Sequence, residues 1–241
     1  MFEIRGAAER GHANHGWLDS WHSFSFADYY DAQHMHFGTL RVINEDRVQP
    51  GMGFGMHGHR DMEIVSYVLE GELEHRDNIG NSGIIRPGDV QRMSAGSGVL
   101  HSEFNSSKTD PVHFLQIWVL PKFTGTRPSH EQKFFSPEQK RGKLRLIASQ
   151  DGRDGSVTIN QDASIYATQL DDNESATIEL GSDRIAYFHV ARGTLEVNGT
   201  RLGAGDGVKI SGNGSLRLAN GTAAEVLMFD LSAAASAGTR P

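Results

Sequence analysis

Short runs of β-branched and aromatic residues, bounded by Gly, Asn or Asp, recur along most of the chain. Runs of this kind predict β-strands, because such side chains fit the pleated, half-buried surface of a sheet. The Asn198–Gly199 pair predicts a tight hairpin, and the stretch 137–141 predicts a single helical turn. Short strands at regular spacing are typical of a sandwich or barrel, so we expect an all-β fold. The strongest predicted strands are 62–69, 72–77, 112–120, 144–148, 185–190, 193–197 and 225–231.

Two stretches of the chain resemble each other. YVLEGELEH at 67–75 matches HVARGTLEV at 189–197, each with the pattern of a strand, a turn at Gly71 or Gly193 and a returning strand. The separation of about 120 residues predicts two copies of one β-unit, although glycine-centred hairpins also recur by chance. We expect a first domain at 1–125, a crossover at 126–143, a second domain at 144–231 and a flexible tail at 232–241.

Composition narrows the function classes. The 241 residues include 28 glycines, 7 prolines and no cysteine, and the formal net charge is −7. The glycines agree with many tight turns, and the lack of cysteine excludes disulfides, thiolate metal sites and thiol nucleophiles. The negative charge disfavours general binding to nucleic-acid phosphates. Since there is no signal-peptide pattern and no apolar run of membrane-spanning length, we expect a cytoplasmic protein that binds neither membranes nor nucleic acid directly.

Four side chains in the first half of the chain have the spacing of metal ligands. His57 and His59 are two residues apart, so on a strand their side chains point to the same face. His101 and Glu103 form a second pair with the same spacing. Two such pairs on adjacent strands would bring three imidazoles and one carboxylate to one point, a donor set that suits a divalent first-row metal.

Other groups in this region have simpler interpretations. Glu63 shares the face of His57 and His59 on a regular strand, which leaves three roles open: a ligand, a hydrogen-bond acceptor for an imidazole, or a charge at the rim. Histidines on polar strand faces are common, and His75 has no evident partner in the sequence. His113 is interpreted as a hydrogen-bonded strand residue, and His189, like His75, as a lone strand histidine. The histidines interpreted as surface or loop residues are His12, His15, His34 and His36.

Several blocks of the sequence, in the same order, resemble the pirin family, and above all its bacterial members described as quercetin 2,3-dioxygenases. The blocks are GHANHGWLDSWHSFSFADYYD (11–31), LRVINEDRVQPGMGFGMHGHRDMEIVSYVLEGELEHRDNIGN (40–81) and MSAGSGVLHSEFN (93–105). The resemblance is dense over residues 2–120. It implies a bicupin, in which two antiparallel β-barrel domains of the cupin or jelly-roll type pack together and the N-terminal one holds a metal.

The same resemblance implies a set of metal ligands. In the pirin pattern Glu63 occupies a general cupin position that is not used as a ligand, and the C-terminal copy has Leu216-Arg-Leu218 where a histidine motif would be needed. We therefore expect one divalent transition metal, in the first domain; Fe(II) is the expected ion, and Mn, Co, Ni, Cu and Zn are alternatives. The residues that correspond to the family's ligands are His57, His59, His101 and Glu103.

Two functions of different classes follow from the resemblance. In the first, the protein is an enzyme that opens the central ring of a flavonol such as quercetin with O2 and releases carbon monoxide, while Glu103 accepts the proton of the flavonol 3-hydroxyl. In the second, it is a metal- and redox-responsive regulatory protein without physiological turnover, as animal pirins are. We expect the enzyme, with the flavonol and O2 as its partners, and no sequence feature marks a protein partner. A structural protein with an adventitious metal is a third alternative.

Overall fold

A computed structural model of the protein describes residues 1–234, and its strands pair in antiparallel ladders. The predicted all-β class is confirmed. The strands are β1 (Phe2–Arg5), β2 (Gly11–Asn14), β3 (Leu18–His22), β4 (Leu40–Val48), β5 (Gly53–His59), β6 (Glu63–Glu70), β7 (Leu73–Asp77), β8 (Ser82–Ile85), β9 (Asp89–Ser94), β10 (Val99–Asn105), β11 (Val112–Val119), β12 (Ser129–Phe134), β13 (Arg145–Ser149), β14 (Val157–Thr158), β15 (Ala163–Leu170), β16 (Ala176–Leu180), β17 (Arg184–Val197), β18 (Thr200–Gly203), β19 (Gly207–Ser211) and β20 (Gly214–Ser232). The helices are α1 (Pro137–Lys140) and two 3-10 turns, Ala7–Glu9 and Arg153–Gly155.

The chain divides into two compact units, each built from separate parts of the sequence. We call residues 11–134 with 157–161 the histidine unit, and residues 1–10, 135–156 and 162–234 the C-terminal unit. Within the predicted crossover, residues 129–134 form β12, which pairs with β9. The domain boundaries predicted from the sequence stay a prediction, and residues 235–241 of the predicted tail lie outside the described residues.

The histidine unit contains two sheets that place the candidate ligands. A seven-stranded sheet has the order β12-β9-β6-β11-β4-β3-β2, and a four-stranded sheet has the order β5-β10-β7-β8. The central strands β6 and β11 are nearly continuous runs of buried residues, and their apolar side chains supply much of the core. One apolar cluster joins side chains from both sheets: Leu18, Val48, Val68, Leu73, Ile85, Val112 and Phe114.

The C-terminal unit has a different interior. Its strands run in the order β1-β19-β17-β20-β15-β13, with β16 paired to β20 and β18 paired to β17. Leu216 and Leu218 lie in an apolar cluster with Phe188 and Met228. The predicted hairpin is present, because Asn198 and Gly199 both have positive φ and Val197 pairs with Thr200.

The expected turn at Gly193 is not a turn. The predicted strands 185–190 and 193–197 are two parts of the single strand β17, whose pairing with β20 shifts register on both sides of Arg192. Gly193 has φ +66°, and a Cβ there would lie 2.2 Å from the carbonyl oxygen of Thr222. Glycine is therefore needed for a bulge that bends a continuous strand. Within residues 1–234 no helix has the length and hydropathy needed to cross a membrane.

Candidate active site

Three of the four predicted ligands meet between β5 and β10. These strands are neighbours, and their register pairs His57 with His101. His59 follows two residues after His57, so it points to the same face. The candidate ligand atoms of these three histidines all lie within 4.8 Å of one another, and their ring centroids are 4.4–4.8 Å apart. A spacing this short is suitable for three imidazoles around one ion.

Glu103 lies beside this cluster. Strand β10 has an irregularity between His101 and Glu103, and both side chains are buried on the same side of it. The carboxylate accepts hydrogen bonds from Gln116 Nε2 at 2.7 Å and from Ser66 Oγ at 3.2 Å. Glu103 belongs to a second group of ligand atoms within 4.8 Å, together with His101 and His75. His101 is thus common to both groups.

Hydrogen bonding at His57 and burial at His59 and His101 favour a ring nitrogen that is available for a metal. His57 Nδ1 donates a hydrogen bond to the carbonyl oxygen of Gly55 at 2.7 Å, which leaves its Nε2 as the acceptor nitrogen. His101 Nε2 is buried and has no hydrogen-bond partner among the described residues. Burial, followed by the neighbouring histidines, lowers the pKa of His101 to about 2 and that of His59 to about 4. Neutral imidazole is the form that binds metals.

Glu63 belongs to a different sheet from the candidate ligands, and its hydrogen-bond partners are also different. The chain bends at Asp61, which has φ +49°, so the alternation of β5 does not continue into β6. The Glu63 carboxylate accepts hydrogen bonds from Ser94 Oγ at 2.7 Å and from the backbone N–H and side-chain amide of Asn160, both at 3.1 Å. These bonds hold the segment 157–161 in the histidine unit. Burial raises the pKa of Glu63.

A cavity of about 550 Å³ opens over His57, His59 and Glu103. Its volume and mixed lining are typical of a small-molecule site. Trp118 contacts both His59 and Phe26 edge-on, with ring centroids 5.0 and 5.4 Å apart. The aromatic side chains of the cavity are Phe26, Tyr29, Phe54 and Trp118, and its other polar side chains include His12, His15, Ser20, His22, Asn44, Asp46 and Gln116.

A second buried carboxyl faces this cavity. Asp46 accepts a short hydrogen bond from Ser20 Oγ, and Ser20 Oγ lies 2.8 Å from His22 Nε2. Burial raises the pKa of Asp46 to about 7, and burial likewise raises the pKa of Glu103 to about 7. Two carboxyls of this kind in one cavity are able to hold or accept a proton near neutral pH.

The structure revises the interpretation of several other residues. His12 and His15, expected on the surface or in loops, are both exposed, and they also line the cavity. His113 is the hydrogen-bonded strand residue that was predicted, because its Nε2 lies 2.9 Å from Glu45 Oε1. His75, expected to be alone, lies beside His101. Sequence reasoning missed Ser20, His22, Asn44 and Asp46; the signal was two i, i+2 polar pairs on strands β3 and β4.

Comparison with known proteins gives consistent matches. The sequence profile of the Pirin family matches residues 3–119, and that of the quercetinase C-terminal cupin domain matches residues 146–231. The chain is 45% identical over 231 residues to a protein of Escherichia coli strain K12 named quercetin 2,3-dioxygenase, covering 96% of this chain and 99% of that protein. It is 42% identical to a pirin-like protein of Caulobacter vibrioides, covering 95% and 99%. The crystal structure of the bacterial pirin YhhW of E. coli in complex with nickel(II) superposes with a TM-score of 0.91 at 44% identity, covering 96% of this chain and 99% of the other.

Proposed function

This chain belongs to the pirin family of bicupin proteins, and on that premise we propose that it is a metal-dependent dioxygenase of flavonols. The proposed reaction opens the central ring of a flavonol such as quercetin with O2 and releases carbon monoxide. The names of the similar proteins support this class of enzyme. The observation that carries the proposal is the cluster of His57, His59 and His101, two of which, His57 and His59, line a cavity with aromatic walls.

The residues present fit one divalent metal. We propose that His57, His59 and His101 supply nitrogen donors and that Glu103 supplies an oxygen donor. The buried, unpartnered Nε2 of His101 supports this assignment, because a buried polar atom without a partner is costly unless a ligand satisfies it. A bound ion would supply Lewis acidity and a place to orient the reactants. Fe(II) is the proposed ion, and the nickel complex of the similar pirin is consistent with other first-row metals in such a site.

Proton transfer and substrate binding depend on side chains of the protein. We propose that Glu103 accepts the proton of the flavonol 3-hydroxyl, because it is the carboxylate that lines the cavity beside the proposed metal ligands. Gln116 and Ser66 hold its two oxygens in place. The rings of Phe26 and Trp118 would contact the flat faces of an aromatic substrate.

Metal reconstitution under anaerobic conditions tests the proposal. The metal-free protein is loaded separately with Fe(II), Mn(II), Co(II), Ni(II), Cu(II) and Zn(II), and oxygen uptake is followed after addition of quercetin. We expect uptake that requires both the metal and the flavonol. Stoichiometric metal binding without turnover of any flavonol would contradict the enzyme and favour the regulatory alternative, in which the oxidation state of the metal changes a partner's affinity.

A further inference from the structure

His101 has a second contact, on the side of its ring opposite the nitrogen assigned to the metal. Its Nδ1 lies 3.5 Å from Nδ1 of His75, and both rings are buried. His75 is on β7, the other neighbour of β10 in the four-stranded sheet. The ring of His101 therefore lies between the candidate metal position and a histidine that the proposed function does not use.

His75 is in turn held by a fixed carboxylate. Its Nε2 lies 3.3 Å from Asp77 Oδ2, and the two side chains are 1% and 0% exposed. Asp77 Oδ1 accepts the backbone N–H groups of Ile79 at 3.0 Å and Asn81 at 2.8 Å, which fixes the carboxylate in the turn between β7 and β8. On its other side the ring of His75 stacks on His130, with centroids 5.2 Å apart.

For neutral imidazoles, only one assignment of hydrogen-bond donors and acceptors fits the contacts of Asp77, His75 and His101. An ionised carboxylate only accepts hydrogen bonds, so His75 Nε2 must carry a proton and donate it to Asp77. A neutral imidazole has one donor and one acceptor nitrogen, so His75 Nδ1 must accept. His101 Nδ1 must then donate, and the lone pair of His101 is left on Nε2.

We propose that Asp77 and His75 form a hydrogen-bonded relay that fixes His101 in the Nδ1–H tautomer and aims its Nε2 at the metal. His75 is thus a positioning residue that acts through His101, comparable in role to the carboxylates that orient metal-bound histidines in other proteins. The inference rests on the proposed metal site, but the tautomer itself is a property of the metal-free protein.

The first test is the tautomer of His101 in metal-free protein labelled with 15N, read from the chemical shifts of its two ring nitrogens. We expect a protonated Nδ1 and an unprotonated Nε2 at His101, and the reverse at His75. Loss of the acceptor in His75→Leu should shift His101 toward the Nε2–H tautomer. An Nε2–H tautomer at His101 in the unaltered protein would overturn the relay, whether or not the protein binds a metal.

The second test is the affinity for Zn(II), measured by competition with a chelator. His75→Leu should weaken binding by roughly 10- to 100-fold, the usual cost of losing a residue that orients a ligand. His75→Gln should stay close to the unaltered protein, because the amide oxygen can accept from His101 and the amide nitrogen can donate to Asp77. His130→Phe is the matched control, because it keeps the stacked ring but lies outside the relay.

The remaining outcomes are distinguishable. Equal loss of affinity in His75→Leu and His75→Gln would overturn the relay and indicate that His75 is itself a ligand, with His101 and Glu103. Unchanged affinity in His75→Leu would also overturn it. If the unaltered protein binds no Zn(II) or other first-row ion, the proposed function fails, while the tautomer measurement still decides whether the relay exists.

Discussion

Around the candidate centre, each of the three histidines has a different neighbouring group. His57 donates a hydrogen bond to the carbonyl oxygen of Gly55. His59 contacts Trp118 edge-on, and Nδ1 of His101 lies 3.5 Å from Nδ1 of His75. Burial lowers the pKa of His59 and His101, which keeps a nitrogen lone pair available on each of these two rings. The buried Nε2 of His101 has no hydrogen-bond partner among the described residues, and a bound ion would offset the cost of burying it.

The first prediction concerns metal content. His57→Ala and His101→Ala should each abolish stoichiometric metal by elemental analysis, because removal of one imidazole leaves too few donors for a stable site. His15→Ala should retain the metal, since His15 lines the cavity outside the cluster. Full occupancy in either of the first two variants would show that the ligand assignment is wrong.

The second prediction separates the two buried glutamates. Glu103→Gln keeps the shape and an oxygen donor but removes the basic charge, so turnover of the metal-replete variant should fall at least about 100-fold. Glu63→Gln should reduce turnover much less, because Glu63 is bonded to Ser94 and Asn160 instead of the histidines. Comparable losses in both variants, measured at equal metal content, would count against these distinct roles.

The third prediction uses Asp46 as a pH probe of the folded state. Burial raises its pKa from 3.8 to about 7. Between these values the folded protein keeps a proton that the unfolded chain loses, so the contribution of Asp46 to stability falls as the pH rises, by about 1.4 kcal/mol per pH unit. Relative to the unaltered metal-free protein, Asp46→Asn should therefore gain stability from pH 4 to 7 in urea denaturation. A difference that does not change with pH would contradict the raised pKa.

At the scale of elements, the centre depends on how closely β5 approaches β10. A Cβ on Gly53 would lie 2.3 Å from the carbonyl oxygen of Glu103 and 2.5 Å from Cα of Phe104. Only glycine permits this approach, which sets the register of His57 opposite His101. The neighbouring Gly55 has no atom within 4 Å of the corresponding position.

The fourth prediction follows from this contrast. Gly53→Ala should push the two strands apart and lower the affinity for Ni(II), measured by isothermal titration calorimetry, because the ligands sit on both strands. Gly55→Ala changes the same residue type on the same strand without a clash, so its affinity should be close to that of the unaltered protein. Equal affinities in the two variants would show that strand spacing does not set the ligand geometry.

The strands of the core were predictable because their runs of β-branched and aromatic residues are a local feature of the sequence. The ligand pairs were predictable for the same reason, since the i, i+2 spacing fixes a shared face whatever the tertiary fold. The role of Gly193 was not, because the same residue permits a turn or a bulge and only the pairing with β20 decides. The partners of Glu63 and His75 also depend on pairing between distant strands, which local spacing does not encode.

At the scale of the whole molecule, the two units differ in what fills their interiors. The histidine unit keeps polar side chains and a cavity beside its core. The C-terminal unit packs leucine, valine and phenylalanine around Leu216 and Leu218, the positions where a histidine motif would be needed. The proposed activity therefore belongs to the histidine unit.

The central claim is that the histidine unit catalyses cleavage of a flavonol by O2 at a protein-bound metal. The most direct test is the ratio of carbon monoxide released to O2 consumed by the metal-replete protein with quercetin. The account predicts one molecule of each, with both lost together in His57→Ala. Oxygen consumption without carbon monoxide, or equal release by His57→Ala, would contradict it.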